Sequence, residues 1–240
     1  MLDAIRLTGV VKMCIWPAYR GLTFRDPRTG ELQGIDIDLS ATLASRLGVK
    51  VAYVESSLDK VIDQLEALQC DVAMQGVGIT PVQQQRLRLT EPYLRSSLYG
   101  VTTRTRLLMH RWENIDQPGV KVAVFAGTVM VGAMESSLKH AKLTVVSAAS
   151  GSAEDELEAG RVDVLIVDYP YARRLLDHAE WTKLVSPPQP FVPVVYAYVL
   201  RPGDDEWFHW INDFVARIKQ DGSLDKTIDK NSLTLAVARE

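Results

Sequence analysis

Apolar and polar positions alternate along the first third of the chain in blocks that predict strands and helices in turn. The pattern predicts, in order, a strand at 10–15, a turn-rich hairpin at 24–34, a helix at 35–47, a strand at 51–54, a helix at 58–68 and a strand at 72–74. The first helix is expected to end at Gly48, a residue that suits a helix C-terminus. A βαβαβ series of this kind indicates a mostly parallel sheet flanked by helices, with ligands bound beyond the carboxyl ends of its strands.

A second series of the same kind follows. It predicts strands at 98–103, 120–125, 143–146, 162–167 and 194–200, and helices at 130–138, 152–158, 207–218 and 224–228. A cluster of prolines between 187 and 193 marks a boundary before the last strand. We therefore expect two α/β lobes: lobe 1 comprises residues 1–97 and 200–240, and lobe 2 comprises residues 98–199. A small ligand would bind between them.

The stretch from Cys70 to Tyr93 carries the first candidate binding loop. Its apolar strand breaks into Gln75-Gly76-Val77-Gly78, where two glycines allow a turn and the close approach of a ligand. Thr80 is expected to cap a helix that begins at Pro81. The N–H groups of such a strand-to-helix junction are donors for an anionic or polar ligand, although the same pattern is also typical of an ordinary connection in an α/β protein.

Composition fits a globular protein and excludes several classes of function. The 240 residues include 47% hydrophobic and 24% charged side chains, which is typical of soluble domains. A net charge of -3, without a lysine- or arginine-rich run, gives no reason to expect nucleic acid. No apolar stretch approaches the roughly 20 residues that span a bilayer, and no leader peptide is visible. The chain is expected to be cytosolic as written, or a mature exported domain.

Signatures of catalysis and of metal binding are not apparent in the sequence. The four histidines are scattered without ligand spacing, so no metal and no other cofactor is expected. The sequence contains no Gly-x-Ser-x-Gly turn, no phosphate-binding loop and no catalytic cysteine motif. Two cysteines, Cys14 and Cys70, could form one bridge at most.

Six short motifs occur in order and at sensible spacings over nearly the whole chain. They are Gly34-Ile-Asp-Ile-Asp38-Leu, Ile79-Thr80-Pro81, Glu91-Pro92-Tyr93, Ala126-Gly127-Thr128, Ala159-Gly160-Arg161-Val162-Asp163 and Asp221-Gly222-Ser223. Together they resemble the bacterial extracellular solute-binding proteins of family 3, the amino-acid-binding periplasmic receptors of ABC importers. The resemblance implies a two-lobed periplasmic-binding-protein-like fold of type 2, with mostly parallel sheets flanked by helices. Two crossover strands, near 98–104 and 192–200, would let the lobes close over a small solute.

Departures from the family pattern bear on the ligand. The family has an arginine two residues after its Thr-Pro pair, which binds the α-carboxylate of the ligand, whereas this chain has Gln83 there. The acidic position ahead of the family's aromatic clamp is Trp16 here, and the clamp itself resembles Tyr19. The loop positions where many relatives have small hydroxyl residues hold Gln75, Gly76 and Gly78.

Two positions in the second half match the family's ligand contacts. Asp168 corresponds to the acid that pairs with the ligand's ammonium group, although it could instead cap the helix that begins at Pro170. Thr128 matches a loop hydroxyl or amide donor, with helix capping as its alternative. A purely structural role is the alternative for each of the other candidates, Trp16, Tyr19, Gln75 and Gln83.

We therefore expect a receptor that traps a small solute with one acid, aromatic walls and amide donors, while the usual carboxylate clamp is weakened. Such a site suits an amine, an amino-acid derivative or a neutral polar solute, and suits a standard α-amino acid if Arg20 replaces the missing arginine. The implied partners are this small-molecule ligand and an ABC permease of the inner membrane, and the implied location is the periplasm. A ligand-sensing domain of a signalling receptor is the alternative on the same fold.

Some relatives on this fold are dehydratases of the cyclohexadienyl type that act on prephenate-like acids. That chemistry requires an acid to assist the leaving group and cations to hold the carboxylates. Asp168 is followed by Tyr169, Pro170 and Tyr171 with no second acid, and the expected arginine is absent. The chain is therefore expected not to be an enzyme.

The resemblance also bears on the two cysteines, because it places their strands side by side. Cys70 would start its strand, whereas Cys14 would lie deep in the other. Parallel strands in register would separate the two residues by more than the roughly 7 Å that a disulfide allows. Free thiols are therefore expected.

Overall fold

The computed structural model describes residues 1–78, 81–147 and 152–233, and its description of residues 77, 78, 81–83 and 152 is confined to the backbone. The chain divides into two compact units: unit 1 is Met1–Arg95 together with Val195 to the end of the described chain, and unit 2 is Ser96–Val194. The unit boundaries differ slightly from the predicted lobes: residues 96 and 97, predicted for lobe 1, lie in unit 2, and residues 195–199, predicted for lobe 2, lie in unit 1. Among the described residues, no helix combines the length and apolar character needed to cross a membrane.

The strands and helices alternate as the hydrophobic pattern predicts. The strands are β1 (Val10–Ile15), β2 (Phe24–Arg25), β3 (Leu32–Gln33), β4 (Lys50–Glu55), β5 (Val72–Gly78), β6 (Arg88–Leu89), β7 (Leu94–Thr103), β8 (Lys121–Phe125), β9 (Lys142–Val146), β10 (Val164–Asp168), β11 (Thr182–Val185) and β12 (Pro193–Leu200). The helices are α1 (Leu2–Thr8), α2 (Ile35–Leu47), α3 (Val61–Glu66), α4 (Pro81–Arg86), α5 (Val129–Ser137), α6 (Ser152–Glu158), α7 (Tyr169–His178), α8 (Asp205–Gln220) and α9 (Ser223–Lys230). Helix α1 and strands β6 and β11 were not predicted from the pattern.

Unit 1 is built on a sheet whose centre is parallel. Strand β1 pairs with β4 on one side and with β5 on the other, both in parallel. Strand β12 then pairs with β5 and with β6 in antiparallel fashion. Because the central strands are covered by helices, four of the six residues of β1 are buried, with Met13, Cys14 and Ile15 fully inaccessible. The carboxyl ends of β1 and β5 therefore meet at one edge of this sheet.

Two glycines set the ends of helix α2. Gly34 precedes the helix at φ 128°, and a Cβ atom there would overlap the carbonyl group of Leu22, so this close approach requires glycine. Gly48 ends the helix in the left-handed region at φ 71°, as the sequence predicts. The first turn of α2 carries Asp36, which lies fully buried beneath the sheet edge described below.

Strand β5 contains a bulge where it pairs with β12. Ala197 pairs with Val77 and Val199 pairs with Ala73, so Met74, Gln75 and Gly76 lie opposite Tyr198 alone. The extra residues are accommodated by Gly76, whose φ of 61° falls in the left-handed region. The main chain of Tyr198 bonds on the other side of β12, where its N–H donates to Thr90 Oγ1 (3.1 Å) and its carbonyl accepts from Thr90 N–H (3.0 Å). The predicted strand thus continues past Met74 as a bulged strand.

The sheet of unit 2 also combines parallel strands with an antiparallel neighbour. Strand β8 pairs in parallel with β9 and with β10, and β7 pairs antiparallel with β10 and with β11. Every residue of β10 is buried, which is typical of a strand covered on both faces. The carboxyl ends of β8 and β10 lead directly into helices α5 and α7, so the residues at these ends, Phe125 and Asp168, lie at the same edge.

The prediction of free thiols is wrong, because Cys14 and Cys70 form a disulfide with their Cα atoms 5.6 Å apart. The register argument assumed that Cys70 belongs to the strand. In the structure β5 begins at Val72, which pairs with Met13, and Cys70 lies in the turn that follows α3. A residue outside the ladder is not constrained by strand register, so Cys70 can approach the buried side chain of Cys14 closely enough to bond with it.

Candidate functional site

The segment that follows β1 brings two aromatic candidates together in unit 1. Trp16 and Tyr19 are buried, with 2% and 4% of their surfaces exposed, and their ring centroids lie 4.9 Å apart. The Tyr19 N–H donates to the Trp16 carbonyl (2.9 Å), and Thr23 Oγ1 donates to the same carbonyl (2.6 Å). These bonds fold the segment into compact turns, so the two rings are held as a fixed aromatic wall at the end of β1.

Gly76 lies against this wall. A Cβ atom at Gly76 would overlap the buried Leu22 side chain and would lie 2.9 Å from Tyr19 Cε1. Gly76 also has a positive φ, so glycine is required there both by the close packing and by the backbone conformation. The glycine that the sequence indicates for the approach of a ligand is therefore needed, in this structure, for the approach of Leu22 and Tyr19.

Gln75 is the candidate whose surroundings point most directly to a ligand. Its side chain is fully buried, and neither Oε1 nor Nε2 has a hydrogen-bond partner among the described residues. Buried polar atoms are nearly always paired, because an unpaired amide in a protein interior costs on the order of 1–3 kcal/mol. An amide left unsatisfied within a central strand is therefore a prepared donor and acceptor.

Sequence reasoning missed Asp36 as part of this site. Its carboxylate is fully buried and accepts hydrogen bonds from the Gly76 N–H (2.8 Å), the Tyr93 hydroxyl (2.8 Å) and the Tyr198 hydroxyl (3.3 Å). Burial raises the pKa of Asp36 to about 7, against the opposing effect of these three donors. The same burial, together with the charge of Asp36, raises the pKa values of Tyr93 and Tyr198 well above their ordinary value. The Gly-Ile-Asp motif was the available signal, but it was used only for the family resemblance.

Two unit 1 candidates are described through their backbone alone. Gly78 pairs with Tyr196 at the end of β5, and Gln83 lies within α4. Their side-chain surroundings, and Thr80 with them, lie outside the described residues. Arg20, the candidate replacement for the family arginine, places its guanidinium over the Phe24 ring, 4.3 Å from the centroid. A ligand-binding role for Gly78 and Gln83 stays a prediction.

In unit 2, Asp168 is fully buried and caps helix α7. Its Oδ1 accepts a hydrogen bond from the Tyr171 N–H (3.0 Å), and Pro170 occupies the first turn. The capping alternative raised by the sequence is thus realised.

The edge of unit 2 at which Asp168 lies also carries Thr128, Phe125 and Tyr171. The Thr128 hydroxyl donates to the Phe125 carbonyl (2.7 Å), which closes the turn between β8 and α5. The rings of Phe125 and Tyr171 lie 5.4 Å apart. The Tyr171 hydroxyl donates to Glu154 Oε1 (2.7 Å). A second acid therefore lies beside Tyr171, three residues after Asp168. The sequence did not predict this acid, because Glu154 comes from α6 and no local pattern links it to Tyr171.

Comparison with known proteins identifies the class and then the family. The fold is that of type 2 periplasmic amino-acid-binding proteins, which confirms the expected fold class. Residues 11–233 match the model of the bacterial extracellular solute-binding proteins, family 3, and the chain belongs to this family, as the motifs predicted.

Individual relatives include both binding proteins and an enzyme. The chain is similar to the cyclohexadienyl dehydratase of Pseudomonas aeruginosa, with 28% identity over 232 residues that cover 95% of this chain and 84% of the relative. It is also similar to the L-cystine-binding protein TcyJ of Escherichia coli (strain K12), with 22% identity over 96% of this chain and 85% of the relative. Among solved structures, an ancestral amino acid-binding protein that is a precursor of cyclohexadienyl dehydratase matches with a TM-score of 0.85 and 30% identity, covering 95% of this chain and 98% of that one.

Proposed function

We propose that this protein is the solute-binding receptor of an ABC importer and that its ligand is a small amino-acid-like or amine-bearing polar solute. The receptor role follows from membership of a family of extracellular solute-binding proteins, whose members among the relatives bind amino acids. The observation that carries the choice of ligand is the buried amide of Gln75, which has no hydrogen-bond partner within the described part of the chain. In this proposal an inner-membrane ABC permease receives the solute.

The amide of Gln75 favours a ligand with both donors and acceptors. Its Oε1 accepts and its Nε2 donates, so a polar solute that presents both kinds of group satisfies the two atoms together. Trp16 and Tyr19 stand beside Gly76 as an apolar wall for the carbon skeleton of the solute. Neither contact requires a carboxylate on the ligand.

Unit 2 contributes the negative charge in this proposal. Asp168 is buried at the carboxyl end of β10, and the ring of Tyr171 packs beside Phe125 at the same edge. A buried carboxylate next to aromatic rings favours a cationic group, through ion pairing and through cation–π contact. An ammonium group on the solute is the group that we assign to this unit.

The missing arginine sets the preference within this ligand class. Gln83 donates hydrogen bonds but carries no charge, so the α-carboxylate of an amino acid would lack its usual guanidinium partner. We therefore expect a decarboxylated amine to bind at least as well as the amino acid from which it derives.

Matched pairs of solutes test this proposal by thermal shift. L-arginine is compared with agmatine and L-phenylalanine with phenethylamine, with glucose as the neutral solute. We expect the amine of at least one pair to raise the melting temperature as much as its amino acid or more, and Gln75→Met to abolish that shift. Gln64→Met is the matched control, because the Gln64 amide already donates to the Glu55 carbonyl (3.1 Å) in unit 1. A larger shift with the amino acid of each pair, unaffected by Gln83→Ala, would contradict the expected preference for the amine and the role given to Gln83.

A second candidate function is dehydration of a cyclohexadienyl acid. It is favoured by the similarity to the Pseudomonas aeruginosa dehydratase and by the carboxylate of Glu154 at the hydroxyl of Tyr171. Incubation with prephenate and with arogenate, followed by detection of phenylpyruvate and phenylalanine, separates the two functions. We expect no turnover above the uncatalysed background. Turnover that disappears in Glu154→Gln would establish the enzyme instead.

A further inference from the structure

The carboxylate of Asp36 lies at the meeting point of three separate parts of unit 1. Oδ2 accepts from the Gly76 N–H in strand β5 and from the hydroxyl of Tyr93, which directly precedes β7. Oδ1 accepts from the hydroxyl of Tyr198 in β12. The rings of Tyr93 and Tyr198 stack with centroids 4.3 Å apart. One buried side chain on α2 therefore joins the candidate binding loop to strand β12 and to the residue that directly precedes β7.

The bulge in β5 explains why the loop needs this carboxylate. The paired positions of β5 and β12 skip from Ala73 to Val77, so the Gly76 N–H takes no part in that ladder. A buried N–H without an acceptor is strongly unfavourable, and an acceptor must come from elsewhere. Asp36 Oδ2 provides it at 2.8 Å.

The position of the Gly76 N–H also fixes the neighbouring Gln75. The two residues share a peptide bond, so the plane that contains the Gly76 N–H also contains the carbonyl of Gln75. Holding this plane, with Gly76 at φ 61° and packed on Tyr19 and Leu22, restricts the backbone from which the Gln75 side chain projects. The unpaired amide of Gln75 is thereby preorganised for a ligand.

We propose that Asp36 is a positioning residue for ligand binding: its carboxylate holds the Gln75–Gly76 peptide in the orientation that presents the Gln75 amide to the solute. Asp36 acts through Gly76 and does not itself touch the solute. This inference rests on the proposed function for its consequence, whereas the positioning itself is a property of the ligand-free protein.

Amide hydrogen exchange in the ligand-free protein tests the positioning directly. In Asp36→Leu the Gly76 N–H loses its acceptor, so we expect its exchange rate to rise at least tenfold relative to that of Met13 in β1. Asp36→Asn retains one carbonyl oxygen that can accept from Gly76, and we expect it to restore most of the protection. Asp38→Asn is the matched control, because Asp38 on the same helix bonds to Lys230 (2.6 Å) and to Asn231 (3.0 Å), away from the loop.

Affinity for the amine that stabilises the wild-type protein in the thermal-shift screen tests the consequence. We expect Asp36→Leu to weaken binding at least tenfold and Asp38→Asn to leave it unchanged. A general loss of stability would accelerate exchange at Gly76 and at Met13 to the same extent, and that result would overturn the inference. Unchanged affinity in a folded Asp36→Leu variant would also overturn it. If no solute binds the wild-type protein, the proposed function fails, while the exchange rates still decide whether Asp36 holds the loop.

Discussion

Cys14 in the buried strand β1 and Cys70 in the turn before β5 are joined by a disulfide across 56 residues of sequence. The loop that they close contains α2, β4 and α3, which is most of the first α/β series. The bridge therefore ties strand β1 to the turn that leads into its parallel neighbour β5.

Removal of this disulfide is expected to destabilise the protein substantially. Closing a loop of 56 residues restricts the unfolded chain, which corresponds to about 4 kcal/mol in the chain-entropy description. Cys14→Ala with Cys70→Ala should lower the free energy of unfolding by roughly that amount, measured by chemical denaturation. Reductant should shift the midpoint of the wild-type protein and not that of the double variant. Equal midpoints for reduced and oxidised wild-type protein would contradict the prediction.

Substitution of Gly76 by alanine is expected to be strongly unfavourable. The added Cβ would overlap Leu22 and would be forced into the left-handed region, so both overpacking and backbone strain oppose it. We expect a loss of about 2–4 kcal/mol in the free energy of unfolding. Gly132→Ala is the matched control: Gly132 lies within α5 and has no atom within 4 Å of its added Cβ, so alanine there should stabilise by about 0.5–1 kcal/mol. Similar effects of the two substitutions would show that the side chains packed on Gly76 move to accommodate the added methyl group.

Gln75→Met is expected to stabilise the ligand-free protein. It replaces a fully buried amide that has no partner among the described residues by an apolar side chain of similar size. The free energy of unfolding should rise by about 1–2 kcal/mol, while the thermal shift caused by the solute is lost. Gln64→Met removes an amide that is already paired and should not stabilise. A destabilised Gln75→Met would indicate that the amide is satisfied in solution.

Asp36 is expected to make stability fall as the pH rises from about 4 to about 7. Burial raises the pKa of its carboxyl from 3.8 to about 7 in the folded protein. Between these values the folded state keeps the proton and the unfolded state has lost it, so each increase in pH favours unfolding. The tyrosines that face the carboxyl, Tyr93 and Tyr198, have raised pKa values and do not titrate in this range.

The comparison with Asp36→Asn isolates this effect from the other carboxyl groups. The difference between the two unfolding free energies should change by an amount on the order of a few kcal/mol over this pH range and then level off above it. Chemical denaturation at a series of pH values measures it. A difference that does not vary with pH would mean that Asp36 titrates near its ordinary pKa.

Local patterns were sufficient to predict most of the secondary structure. Helix α2 was placed correctly because its apolar positions repeat with the helical period and Gly48 ends it in the left-handed conformation. Helix α3 is shorter than predicted, since the chain leaves it before Leu68, which adopts φ 57°. Helix α1 is short and offers too few turns for a periodic pattern, although Leu2 and Ile5 are buried.

The contacts of the site were harder to predict, because they join residues distant in sequence. The approach of Cys70 to Cys14 depends on a turn that lies outside the strand register. The bond from Gly76 to Asp36 spans 40 residues, and the bond from Tyr198 to Asp36 spans 162. Only the packed fold brings such groups together, and a single sequence carries no periodic signal for them.

The attachment of Tyr198 to Thr90 has a consequence for how this protein can change over evolution. The main chain of Tyr198 in β12 is hydrogen-bonded to Thr90 on the side away from β5. These bonds do not depend on the three bulge residues, Met74, Gln75 and Gly76. Side chains at 74 and 75 can therefore be exchanged by mutation without unravelling the strand that returns the chain to unit 1. The fold thereby separates main-chain pairing that must persist from side chains that can change.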